Sequence, residues 1–71
     1  SNNINQFVAS EILKKAGCIV DTASNGIEAI EKASIGTYQL ILMDIQMPQM
    51  DGIEATARIR NLGLPQIPPI I

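Results

Sequence analysis

Asp44 closes the most apolar stretch of the sequence, Leu40-Ile41-Leu42-Met43, and the loop Ile45 to Asp51 follows it. A carboxylate directly after a strand can bind a cation, act as a base or attack an electrophile. It can equally cap a turn, because Asp is common where strands become loops. Position alone leaves both readings open. With Gly52 as the glycine of a calcium loop, the ends would fall at Met47 and Arg58, neither an oxygen ligand of the required kind. No glycine-rich phosphate loop is present. The sequence has no histidine, which excludes the common zinc sites and histidine acid–base catalysis. Asp51 could look like a second metal carboxylate in the same stretch. Met43, Met47 and Met50 follow a helical spacing that Pro48 interrupts, and they read as core filling. Cys18, beside Ile19 and Val20, reads as an inert buried thiol.

The chain that must position Asp44 is 71 residues long, one domain at most. A chain of this length buries only about 60% of its unfolded surface. The composition is globular, with 46% hydrophobic and 17% charged residues. Five basic against seven acidic residues leave no electrostatic footprint for nucleic acid. Phe7 and Tyr38 are the only aromatics, so there is no platform for stacking bases. The longest apolar run is too short to cross a membrane, and no basic segment precedes an apolar one. Cys18 has no partner for a disulfide within the chain. A lone cysteine without an export signal fits a reducing, cytoplasmic setting.

Periodicity places three helices and two strand segments. Val8, Ala9, Ile12, Leu13 and Ala16 share one helical face, with Asn5 or Asn2 as cap and Gly17 as terminator. Cys18 to Val20 reads as a short buried strand. Asn25 with Glu28 resembles a capping box. Gly26, Ala29, Ile30 and Ala33 form the next apolar face, Glu28 and Lys32 pair outside, and Gly36 ends the helix. Leu40 to Met43 is continuously apolar, as in a parallel strand covered on both faces. A third helix runs from Gly52 to about Asn61, its apolar face Ile53, Thr56, Ala57 and Ile59. Arg58 and Arg60 read as a solvated face. Leu64 to Pro69 is extended, and Pro69-Ile70-Ile71 reads as the first residues of another strand. This alternation implies an α/β fold with a parallel sheet.

Residues 43 to 52, Met-Asp-Ile-Gln-Met-Pro-Gln-Met-Asp-Gly, closely resemble the phosphoacceptor loop of response-regulator receiver domains, above all those of hybrid histidine kinases. Asn2 to Gln6, Ala16-Gly17-Cys18, Ala23 to Gly26 and Glu28-Ala29-Ile30 resemble other segments of that family. The resemblance implies a two-component phosphorelay. Asp44 would accept a phosphoryl group from a phosphohistidine on a histidine kinase or a histidine phosphotransfer domain. Mg²⁺ would be held by Asp44, by the backbone carbonyl of Gln46 and by an acidic pair after the family's first strand. Pro48 and Gly52 match the family's loop-shaping positions. No contact with nucleic acid or membrane is expected from this segment.

The resemblance also implies a partial flavodoxin-like, doubly wound parallel sheet. Residues 1–71 would be a partial receiver domain, running from helix 1 to the start of strand 4. It would lack the first strand, everything after the start of the fourth, and the acidic pair, with Ser1 standing where the second acid belongs. No complete catalytic site is then present in the chain, and whether it serves an enzyme is left open. The missing strand would lie between the two present here, so an isolated, stable 71-residue monomer is not expected. Further residues, a partner, or a non-native swapped oligomer would fill the gap. Two other readings stand beside the receiver. One is a pseudo-receiver or inactive fragment, serving only interaction or oligomerisation. The other is a phosphohydrolase of the haloacid dehalogenase type, which would need a second Asp where Gln46 stands.

Overall fold

The computed structural model describes residues 3–45, 47 and 49–71, without the side chain of Asn3. The expectations for Ser1, Asn2, Gln46 and Pro48 fall outside the described residues. Three helices follow one another: α1 (Asn3–Lys15), α2 (Gly26–Ile35) and α3 (Gly52–Arg60).

Each helix end has a local cause. Asn5 lies inside α1 and does not cap it, since the helix already begins at Asn3. Gly17 ends α1 in the left-handed region, at φ +95°. Its N–H donates to the Lys14 carbonyl, and the Cys18 N–H to the Leu13 carbonyl, both at 3.0 Å. This paired termination satisfies two carbonyls of the last turn. At α2, the Asn25 side chain accepts from the Glu28 N–H at 2.8 Å. The Glu28 carboxylate reaches back to accept from the Ser24 N–H at 3.2 Å, one residue before the Asn25 cap, a capping box displaced by one position. Glu28 also pairs with Lys32 at 3.6 Å, as the spacing predicts. Gly36 ends α2.

The core lies between α2 and α3, which pack against each other. Gly26 and Ala33 are buried, and Ala29 and Ile30 are half-buried, so the predicted face of α2 is the face used. The face of α3 meets the expectation at Ile59 and Thr56 and departs from it at Ile53 and Ala57. Its buried residues are Gly52, Ala55 and Ile59, while Ile53 is 69% exposed. Gly52, with no Cβ, lies against the backbone of Asp44 and Ile45, and this close approach turns Gly52, Ala55 and Ile59 inward while Ile53 falls off that face. The predicted face of α1 is mostly open. Val8, Ile12 and Ala16 are exposed, because no described element packs over them.

The expected strands are reduced to one short parallel ladder. Ile41 bridges Ile70. The Ile41 N–H donates to the Pro69 carbonyl at 2.9 Å, the Ile71 N–H to the Ile41 carbonyl at 3.0 Å, and the Met43 N–H to the Ile71 carbonyl at 2.7 Å. These evenly spaced bonds are those of a parallel pair, and they give Pro69-Ile70-Ile71 its extended role. Leu40 to Met43 is not covered on both faces, since Leu40 and Leu42 are 43% and 49% exposed. Cys18 to Val20 forms no strand. A strand requires a ladder partner, and none lies beside it among the described residues. Ile19 is fully exposed, and Cys18 is exposed rather than buried.

Tyr38 anchors the extended segment before α2. Its hydroxyl donates to the Asp21 carboxylate at 2.8 Å. That bond, then partial burial, then the charge on Asp21 push the phenol above its ordinary value. The contribution to stability is fully present below about pH 10 and is lost as the pH rises through the raised value. Tyr38 is the only tyrosine, so ultraviolet titration reads it alone. The midpoint is expected above that of free tyrosine, and Asp21→Ala is expected to return it there.

Candidate functional site

Asp44 stands at the carboxyl end of the parallel ladder, one residue beyond Met43. In open α/β sheets this is the end at which ligands bind. The residue is exposed. A groove of about 370 Å³ lies nearby, lined by Met43, Ile45, Gly52, Thr56, Ile70 and Ile71, and it does not include Asp44.

The loop from Asp44 to Gly52 is closed by backbone contacts. The Gly52 N–H donates to the Ile45 carbonyl at 2.9 Å. A methyl group at Gly52 would stand 1.9 Å from the Asp44 carbonyl oxygen and 2.7 Å from its carbonyl carbon. Only glycine lets the start of α3 lie against the backbone of Asp44. Between these points Gln49 takes a left-handed conformation, at φ +70°. The steric crowding at Gly52 is a property of this loop's backbone. Pro48, the other residue expected to shape the loop, lies outside the described residues.

Asp51 is the N-cap of α3, and its side chain accepts from the Glu54 N–H at 2.8 Å. The cap explains this acidic residue without a metal. Asp51→Ala is expected to cost about 1 kcal/mol of stability. Denaturant unfolding of the variant checks this. Glu54 in turn pairs with Arg58 at 2.8 Å, so Arg58 braces α3 from its exposed side. Met43, Met47 and Met50 are all half-buried around the loop, in keeping with a packing role.

Asp44 supplies one hard oxygen donor. Among the described residues, no three acidic, cysteine or histidine side chains gather closely enough to hold a metal ion. A divalent cation bound here would take its remaining ligands from water, from phosphoryl oxygens or from positions outside the described residues, Gln46 among them. Among the described residues, no helix is long and apolar enough to cross a membrane.

Sequence spacing missed one contact of this site. Gly26, the first residue of α2, is buried against Met50 of the loop. A glycine at the start of a helix is the signal available in the sequence, but glycine is also tolerated there for its backbone alone.

Residues 2–71 match the family described as the response regulator receiver domain. The chain is 54% identical over 61 residues to the hybrid signal transduction histidine kinase B of Dictyostelium discoideum, covering 86% of this chain and 3% of that protein. It is 45% identical over 60 residues to histidine kinase 5 of Arabidopsis thaliana, covering 84% of this chain and 6% of that protein. It is 49% identical over 65 residues to the two-component response regulator ORR41 of Oryza sativa subsp. japonica, covering 86% of this chain and 51% of that protein. The chain thus spans a small part of the kinases and about half of the response regulator.

Proposed function

The chain belongs to the response-regulator receiver family, the phosphorelay domains of hybrid kinases and response regulators, and we propose that Asp44 is its phosphoacceptor. The observation that carries this reading is the closed loop. Gly52 packs on the Asp44 backbone and fixes an exposed carboxylate at the carboxyl end of the ladder. Residues 1–71 then correspond to helix 1 through the start of strand 4, in a flavodoxin-like order. The parallel pairing of residues 41–43 with 69–71 supports that correspondence.

In the proposed step, an Asp44 carboxylate oxygen bonds to phosphorus as the phosphorus–nitrogen bond of a phosphohistidine breaks. The electron pair stays with the departing imidazole, which takes up a proton, and an acyl phosphate forms on Asp44. The loop holds the carboxylate in place, and positioning supplies much of the acceleration in phosphoryl transfer. Receiver domains generally bind Mg²⁺ at the phosphorylation site. The ion's chemistry is to offset the repulsion between carboxylate and phosphoryl oxygens. Asp44 and the backbone carbonyl of Gln46 are the residues of this chain proposed to hold it. The donor is a histidine kinase or a histidine phosphotransfer domain, and the compartment is the cytoplasm. The exposure of Asp44 supports a protein donor.

The test is the intact mass of the full-length protein after incubation with a small-molecule phosphodonor, with and without Mg²⁺. One phosphoryl group is expected, dependent on Mg²⁺. No gain would favour a pseudo-receiver that docks without accepting.

A further inference from the structure

We infer that Gly26 is a positioning residue for the acceptor loop: α2 begins with a glycine because Met50, six residues beyond Asp44, rests directly on it. The inference depends on the reading of Asp44 as phosphoacceptor. A methyl group at Gly26 would lie 2.6 Å from the Met50 carbonyl oxygen, 2.9 Å from its Cβ and 3.0 Å from its Cγ. Ordinary contact begins near 3.4 Å, so the methyl oversteps the carbonyl by 0.8 Å (3.4 less 2.6). Gly26 is helical, with no positive φ, so its backbone would accept a side chain. The constraint comes from the neighbour alone.

The obstructing oxygen belongs to the main chain and cannot rotate away. Relief requires that Met50 move or that α2 move. Met50 is two residues from Gly52, which is itself wedged against the Asp44 carbonyl. Asp51 between them is tied to α3 by its cap. Moving α2 instead shifts α3, against which it packs and which starts at Gly52. Either route ends on the backbone of Asp44. A misplacement of about 1 Å can cost on the order of 100-fold in a positioned reaction.

Gly36 provides a matched control. A methyl group there would meet the Tyr38 ring at 2.6 Å, an overlap of the same size, but the obstacle is a side chain remote from the loop. The experiment compares wild type, Gly26→Ala and Gly36→Ala in the full-length protein. It records the maximal rate of phosphoryl uptake from acetyl phosphate, the half-saturating concentration, the melting temperature, and hydrogen exchange at the Gly52 amide.

Gly26→Ala is expected to lower the maximal rate about 10-fold or more, with the half-saturating concentration within about twofold of wild type. Its Gly52 amide should exchange faster. Gly36→Ala should match wild type in rate and in Gly52 exchange, whatever its melting temperature. A wild-type rate in Gly26→Ala would overturn the inference, as would equal slowing in Gly36→Ala. If wild type takes up no phosphoryl group, the acceptor reading fails, and Gly52 exchange decides the positioning contact alone: faster in Gly26→Ala upholds it, unchanged refutes it. Should Gly26→Ala not fold, Met50→Gly replaces it. That change removes the Cβ and Cγ resting on Gly26, and the same slowing is expected.

Discussion

Asp44→Asn is expected to abolish phosphoryl uptake. The amide is close in size to the carboxylate, so the loop is expected to keep its shape and the protein its stability. What is lost is the nucleophile. An amide oxygen carries no full negative charge, is a far weaker ligand for a hard cation, and cannot form a stable acyl phosphate. Uptake is expected to fall below detection, while the free energy of unfolding changes by less than about 0.5 kcal/mol, as for other exposed substitutions. Retained uptake at a comparable rate would place the acceptor elsewhere. Asp51 is the obvious competitor, and its role as N-cap of α3 argues against it.

Gly52→Ala produces the second large effect, and it acts on both stability and rate. The added methyl would lie 1.9 Å from the Asp44 carbonyl oxygen, inside any tolerable contact. Both atoms are fixed to the backbone, so the strain cannot be relieved by a rotamer change. Overpacking of this kind costs about 1–3 kcal/mol, and a backbone obstacle puts this site at the upper end. Relief must separate the start of α3 from Asp44, which breaks the Gly52 N–H bond to the Ile45 carbonyl. Uptake on Asp44 is then expected to slow on the order of 100-fold. Denaturant unfolding and the labelling rate check the two effects separately. Loss of stability with an unchanged rate would mean that Gly52 serves the fold and not the acceptor.

The helices were legible because their signals are local. Gly17 after Lys15, Asn25 before Glu28 and Gly36 after Ile35 each act through bonds to residues within one turn. The position proposed here as acceptor stands out in the sequence for a different reason. Asp44 follows the most apolar run in the chain, and the ten residues from Met43 to Gly52 carry a specific pattern. The strands were less legible, because a strand needs a partner that its own residues do not name. Leu40 to Met43 found one in Pro69 to Ile71, whereas Cys18 to Val20 has none among the described residues. The thiol of Cys18 was read as buried on the same assumption and is exposed. On α3, hydrophobic periodicity favoured Ile53, but the close approach of Gly52 to the Asp44 backbone turned Gly52 and Ala55 inward with Ile59. The contact of Gly26 with Met50 joins residues 24 positions apart and leaves no periodic trace.

The most direct test of Asp44 as phosphoacceptor is chemical trapping. An acyl phosphate is reduced by borohydride to the corresponding alcohol, which converts an aspartyl phosphate into homoserine. The full-length protein would be phosphorylated with Mg²⁺ and a phosphodonor, reduced, digested and sequenced by mass spectrometry. Homoserine at position 44 alone is the result this account predicts. Homoserine at position 51, or at any other carboxylate with position 44 unmodified, would contradict it.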